Sequence, residues 1–220
     1  SATRFNISVA VTDEFMALAQ DGGILTLRDP RDGSPRGSVD AGALLDEIVR
    51  AAWTTGDPGL IFLDTINRTN PTPALGDIEA TNPCGEVPLL PHESCNLGSV
   101  NLARMLSGGD VEWELLAATV RLAVRFLDDV IEVNRYPVAA VERATLRTRK
   151  IGVGVMGLAE MLAELGLPYD SDEALELADR VAATLATEAR TASAQLATER
   201  GPFPAWPEGA AQAPMRNAQL

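Results

Sequence analysis

At 220 residues, 46% of them hydrophobic and 22% charged, the chain has the composition of an ordinary globular protein, long enough for one sizeable core or two small ones. Its formal charge of −13 excludes a broad nucleic-acid footprint, which needs clustered Lys and Arg to neutralise phosphates. No run of about 18 apolar residues is present to span a bilayer, residues 1–11 lack the plan of a signal peptide, and the cytoplasm is the default location.

Two cysteines cannot scaffold a chain of this length, and the ten residues between them are not a zinc-ligand spacing. No metal site is expected, and redox or radical chemistry outweighs a structural use of the thiols. Residue 1 leads straight into the strand-like Arg4-Phe5-Asn6-Ile7-Ser8-Val9, and residues 215–220 stop without a terminating signal. Both ends are therefore expected to be cuts in something longer.

Residues 13–19 read as a short helix, and residues 21–37 as a Gly-, Pro-, Asp- and Arg-rich loop or hairpin. Asp40 is placed to cap a helix through Trp53, whose Leu44, Leu45, Ile48, Val49 and Ala52 make one apolar stripe; Gly56-Asp57-Pro58-Gly59 stops it. Residues 60–63 suit a short buried strand, and turn residues with two prolines fill 67–76. Residues 96–105 are ambiguous. The spacing of Leu115, Leu116, Leu122, Ala123, Phe126, Leu127 and Val130 predicts a long helix over 112–134, ended by Pro137. A helix over 138–147, a buried strand over 151–155 and a helix over 156–165 follow. Asp170 or Ser171 then caps a last long helix that runs to Arg200 and stops at Gly201-Pro202. Strands alternating with helices favour an α/β class.

Residues 82–95 hold both cysteines and the only histidine of the chain. In an extended segment successive side chains alternate, so Asn82, Cys84 and Glu86 are expected on one face, with Pro83 and Gly85 shaping the backbone between them. The result is a thiol flanked by an amide and a carboxylate. His92, eight residues on, could serve Cys84 as the base of a thiolate nucleophile, but no third group is placed to orient the imidazole. The plainer alternative makes Cys84 and Cys95 small buried fillers of a tight loop, and the residues alone leave both open.

Other patterns read as structural. Gly152-Val153-Gly154-Val155-Met156-Gly157 matches a dinucleotide-binding fingerprint, yet the preceding residues 145–150 are polar rather than a firm strand. Close packing of a strand on a helix is the reading it supports. Arg143, Arg147, Arg149 and Lys150 are expected as a solvated helix end. Asp128, Asp129 and Glu132 are expected as a solvated or salt-bridged helix face. Asn6-Ile7-Ser8 fits a glycosylation acceptor, which means little without a secretory signal.

The larger pattern lies in the order of motifs: Phe5-Asn6-Ile7-Ser8-Val9, then Gly56-Asp57-Pro58-Gly59-Leu60-Ile61-Phe62, then Asn70-Pro71-Thr72-Pro73, then Asn82-Pro83-Cys84-Gly85-Glu86. Glu93-Ser94-Cys95-Asn96-Leu97-Gly98-Ser99 follows, and finally the run from Arg149-Lys150-Ile151-Gly152 to Gly157-Leu158-Ala159. Nearly end to end, this resembles the catalytic subunit of ribonucleotide reductase, most closely the adenosylcobalamin-dependent class II enzymes. The resemblance implies that residues 1–220 are the central portion of a ten-stranded α/β barrel, with the loop of Asn82, Cys84 and Glu86 threading its middle. It implies that Cys84 becomes a thiyl radical that abstracts the ribose 3′ hydrogen, that Glu86 takes the 3′-hydroxyl proton, and that Asn82 hydrogen-bonds the substrate. Cys95 is implied as one of two thiols that supply the reducing electrons. A thiol that transfers a hydrogen atom must stay neutral and shielded, the reverse of a nucleophilic thiolate, and a neighbouring carboxylate such as Glu86 favours that state.

Adenosylcobalamin is the implied cofactor. The implied partners are a ribonucleotide, a thioredoxin- or glutaredoxin-like reductant and allosteric nucleotide effectors bound outside this chain, and a homodimer is among the assemblies allowed. In the family the partner thiol of Cys95 lies upstream and the glycine-rich phosphate loop downstream, so this segment alone is expected to be inactive. A thiolate hydrolase or transferase using Cys84 and His92, and a non-catalytic remnant, are the two readings set against it.

Overall fold

The structure, a computed structural model, describes residues 5–207 and 213–220; Arg4, part of the expected opening strand, lies outside them. The chain divides into two compact units, Ser1–Pro91 and His92–Leu220, taken here in turn.

In the first unit β1 (Ser8–Val11) leads into α1 (Asp13–Asp21), which starts where it does because Thr12 accepts the Phe15 amide at 3.1 Å and Asp13 and Glu14 meet the positive helix end. The Asp- and Arg-rich stretch is a hairpin, β2 (Ile24–Arg28) against β3 (Pro35–Asp40), its tip tied by Asp29, which pairs with Arg31 and Arg36 at 2.9 Å each. Asp40 caps α2 (Ala41–Thr55) as expected, taking the Ala43 amide at 2.8 Å, and Gly56, left-handed at φ 85°, ends the helix. β4 (Gly59–Phe62) pairs in parallel with β1, Ser8 opposite Gly59 and Val11 opposite Phe62. Leu63, expected to close that strand, instead opens α3 (Leu63–Arg68). Val11, Phe15 and Ala41 form the centre of this unit, with Leu18, Leu44, Leu45 and Leu60 packed against them. Burying a side chain such as Phe15 contributes roughly 1.5–3 kcal/mol.

Asn67 carries the chain from this core to the reactive loop. Its amide nitrogen donates to the Leu63 and Ile78 carbonyls at 3.1 and 3.0 Å, and its oxygen accepts the Ile78 amide at 2.8 Å. Those bonds hold both ends of the proline-rich turn and aim residues 79–90. There β5 (Ala80–Thr81) and β6 (Pro88–Leu89) pair antiparallel, Ala80 opposite Leu89.

The second unit is built on β7 (Asn96–Asn101), a strand in the stretch where the sequence gives no preference. After the small hairpin of β8 (Leu106–Ser107) and β9 (Asp110–Val111) come α4 (Trp113–Val133) and α5 (Ala139–Thr148). β10 (Ile151–Met156) then returns parallel to β7, Asn96 opposite Ile151 and Asn101 opposite Met156. α6 (Leu158–Glu164) and α7 (Asp172–Arg200) complete the unit; Ser171 rather than Asp170 caps α7, accepting the Ala174 amide at 3.2 Å.

Leu116, Val120, Val124, Leu127 and Ile131 line the buried face of α4, at the i, i+4, i+8, i+11, i+15 spacing of one helical stripe, against Val100, Ile151, Met161 and Leu196. Leu115, Leu122 and Phe126, expected on that face, are 46%, 66% and 64% exposed. The helix is apolar on two sides, and only the first packs within this unit. The glycine fingerprint is a packing device, though its glycines pack against the neighbouring strand β7 rather than a helix. A Cβ on Gly152 would run into Leu97 Cδ2 across the ladder, and one on Gly157, left-handed at φ 75°, would stand 2.5 Å from Asn101 Oδ1. Residues 213–220 turn back onto the start of β10: the Ala218 amide donates to Thr148 O at 2.9 Å and the Ile151 amide to Gln219 O at 3.2 Å.

Candidate active site

The Asn-Pro-Cys-Gly-Glu run is a turn at a hairpin tip, which corrects the expectation of an extended segment. The Gly85 amide donates to Asn82 O at 3.0 Å, with Pro83 pre-set at the second position and Gly85 at φ 87°. The Asn82 side chain closes the connection: its Oδ1 accepts the amide of buried Val87 at 3.0 Å, while the Asn82 amide donates to Val87 O at 3.3 Å. Asn82 is half-buried and faces inward to that bond, whereas Cys84 and Glu86 are exposed. The shielding expected for Cys84 is thus not supplied within this segment. The three side chains still leave a single connection of six residues, 82–87, so their separation is limited by the turn and not by long-range folding.

Cys95, in the second unit, is half-buried, and its Sγ lies 3.4 Å from Asn96 O. The residues beside it are held firmly. Glu93, its side chain 2% exposed, accepts from Thr148 Oγ1 at 2.6 Å and from Lys150 Nζ at 2.7 Å. Ser94 meets Thr145 Oγ1 through its amide at 3.2 Å and its hydroxyl at 2.8 Å. Asn96 donates Nδ2 to Leu127 O at 3.3 Å, while its buried Oδ1 meets no donor among the described residues. His92 is exposed, on a left-handed backbone at φ 66°.

Arg149 and Lys150 correct the expectation of a solvated helix end. Their side chains are 3% and 0% exposed, because they stand at the start of the buried strand β10 and not on the outer surface of α5. Arg149 donates Nε and Nη2 to Asp128 Oδ1 at 3.0 and 2.8 Å and Nη1 to Glu132 at 2.6 Å. Asp128 also receives Arg200 at 3.0 Å, Arg216 at 3.3 Å and the Asn217 amide at 3.1 Å, so this face of α4 is salt-bridged but, at Asp128, dry. Burial alone would raise the Asp128 pKa, yet the hydrogen bonds and charges of Arg149 and Arg216 outweigh it and hold the carboxyl below its ordinary value of 3.8. The salt-bridged helix face expected at Asp128 is present, whereas the buried contacts of Glu93 and Thr148 are not foreseen from the sequence. The signal for Glu93 and Thr148 is the position of Arg149-Lys150 directly before an apolar strand.

Residues 1–219 match the barrel domain of ribonucleotide reductase, and the chain belongs to that family. It is similar to a vitamin B12-dependent ribonucleoside-diphosphate reductase of Mycobacterium tuberculosis, 56% identical over 218 residues that cover 98% of this chain and 32% of the relative. An enzyme of the same name in Thermoplasma acidophilum is 50% identical over 205 residues, 93% of this chain and 27% of the relative. A ribonucleoside-diphosphate reductase subunit alpha of Chlamydia pneumoniae is 36% identical over 169 residues, 75% of this chain and 16% of the relative. The chain spans about a third of the length of the curated relatives it matches first. No helix of the described residues is long and apolar enough to cross a membrane.

Proposed function

We propose that residues 1–220 are the central portion of the catalytic barrel of a cytoplasmic ribonucleotide reductase, and that the complete enzyme converts ribonucleotides to 2′-deoxyribonucleotides by thiyl-radical chemistry. The observation that carries this reading is the single turn that holds Asn82, Cys84 and Glu86 within six residues, Asn82 closing it and Cys84 and Glu86 exposed, in a chain matched by the barrel-domain family over residues 1–219.

In this reading the Cys84 S–H bond is the reactive one. As a thiyl radical, Sγ takes the ribose 3′ hydrogen, and Glu86 accepts the 3′-hydroxyl proton, for which it must come within hydrogen-bond reach of the sugar. Asn82 Oδ1 is occupied by the Val87 amide, which leaves Nδ2 as the group that can donate to substrate. Cys95 and a second thiol from outside this chain each give up one hydrogen. Together they supply two electrons and two protons as the 2′ hydroxyl leaves as water and one disulfide forms. A thioredoxin- or glutaredoxin-like dithiol then reduces that disulfide. Nucleotide effectors and a homodimer interface belong to the remainder of the protein in this proposal.

The Mycobacterium and Thermoplasma relatives are named for dependence on vitamin B12, and adenosylcobalamin is the radical-generating cofactor assigned to the complete enzyme. Adenosylcobalamin brings its cobalt already held by the corrin nitrogens, so this segment need supply no cluster of metal ligands, and none is found among the described residues. No step above is routed through the cofactor. The direct test is Cys84→Ala in the full-length reductase with cofactor and reductant present. Deoxyribonucleotide formation is expected to vanish while the melting temperature moves by no more than about 2 °C, since the side chain is exposed. Formation at the parent rate would refute the assignment.

A further inference from the structure

The residues around Cys95 are fastened by charged groups that have lost nearly all contact with water. Glu93 and Lys150 are 2% and 0% exposed and meet at 2.7 Å, with Thr148 Oγ1 on the other carboxylate oxygen at 2.6 Å. On one side of the thiol Ser94 is tied twice to Thr145; on the other Asn96 enters the ladder opposite Ile151, the residue that follows Lys150. The same short stretch, residues 145–151, thus grips both flanks of Cys95.

Stability does not account for such a pair. Stripping water from an ammonium and a carboxylate costs several kcal/mol per ion, and well-packed apolar residues of equal volume often do as well or better. What the arrangement provides is one geometry, because a carboxylate with a cation on one oxygen and a hydroxyl on the other cannot shift without leaving a buried group unpaired. We propose that Glu93, locked by Lys150 and Thr148, is a positioning residue for the Cys95 thiol, fixing the backbone over residues 93–96 so that Sγ meets its disulfide partner. This deepens the reading of Cys95 as a reducing thiol and rests on it.

The exchange that reports on this is balanced. A dithiol reductant loses two hydrogens to become a disulfide, while the disulfide formed by Cys95 takes them up as two thiols. A thiol held in place has a high effective concentration toward its partner, so loosening its backbone favours the reduced form. In the full-length reductase, equilibrated with dithiothreitol mixtures and read by mass tagging at Cys95, E93Q and K150M are each expected to shift the equilibrium about tenfold toward the thiols. Iodoacetamide capture of reduced Cys95 rises roughly fivefold in both, with capture of Cys84 unchanged. The E93Q/K150M double variant matches the singles, since one lock is lost in all three. T148V, which removes one hydroxyl, shifts both readings in the same direction by a smaller factor and serves as the test where E93Q fails to fold. Equilibrium and capture within about twofold of the parent in E93Q, or in T148V when E93Q does not fold, overturn the proposal whatever happens to the melting temperature. C95S keeps the two claims apart. Sustained dithiol-driven turnover in C95S would end the redox reading of Cys95, while the capture rates still decide whether Glu93 positions it.

Discussion

The two thiol-bearing stretches are held by different means. Around Cys84 the bonds are local: Asn82 to Gly85, Asn82 to Val87, and a two-residue ladder behind them. Around Cys95 they are long-range, from Glu93 and Ser94 to residues more than fifty positions away, through side chains with little or no exposure. A locally closed turn can present reacting groups without burying polar atoms, so its residues are free to be chosen for chemistry. A stretch pinned by buried charges cannot lose one partner of a pair without leaving the other buried and uncompensated. The difference separates residues that act on a substrate from residues that hold a shape, and each can be tested by asking which property fails first.

Glu86 sharpens the first half of the comparison. Because it is exposed and the turn closes without it, Glu86→Gln in the full-length reductase is expected to lower turnover by about 10²–10⁴, the range for loss of a general base, with no change in melting temperature beyond roughly 1 °C. A variant that melts early but turns over normally would reverse the roles assigned to the two stretches.

Asp128 tests the second half. Asn at this position puts an amide NH₂ where Arg149, Arg200 and Arg216 all bring donors, and urea titration at neutral pH is expected to show a loss of about 3 kcal/mol. The pH dependence follows from the sign of the shift. With its folded-state pKa depressed below 3.8, Asp128 binds its proton more readily unfolded than folded, so its contribution is present above 3.8 and lost as pH falls through the lower folded value. The parent should therefore lose stability on acidification below about pH 4 more steeply than the Asn variant. Parallel acid profiles would mean that the carboxyl is not held by those cations.

How much of this was legible in the sequence depends on the range of the interaction. The caps at Asp40 and Ser171 and the long helices follow from residues a few positions apart, and the reactive turn was located because its motif is local. Its shape was not, since alternation in an extended chain and a Pro-x-Gly turn compete for the same residues and the Asn82–Val87 bonds decide between them. Arg149 and Lys150 were misplaced because cations at a helix end are ordinarily solvated. Only the parallel ladder of β10 with β7, set across fifty-five residues, carries them inward. The face of α4 was partly misjudged for a similar reason: with Leu, Phe and Val on two sides, periodicity cannot say which side the strands will cover.

His92 should show the smallest effect and discriminates the chemistry. A thiolate enzyme needs an imidazole as base, so His92→Gly would cost such an enzyme about a hundredfold or more in rate. The radical reading gives this side chain no step, and turnover within about twofold of the parent is expected in the full-length reductase. Glycine is the better replacement for separating rate from folding. At φ 66° a side chain carries a penalty of roughly 1 kcal/mol that glycine escapes, and the greater freedom of glycine in the unfolded chain offsets most of that gain. The net change in stability is expected within about 0.5 kcal/mol. A rate loss in His92→Gly could therefore not be blamed on unfolding, and it would move the chemistry of Cys84 from a one-electron to a nucleophilic mechanism.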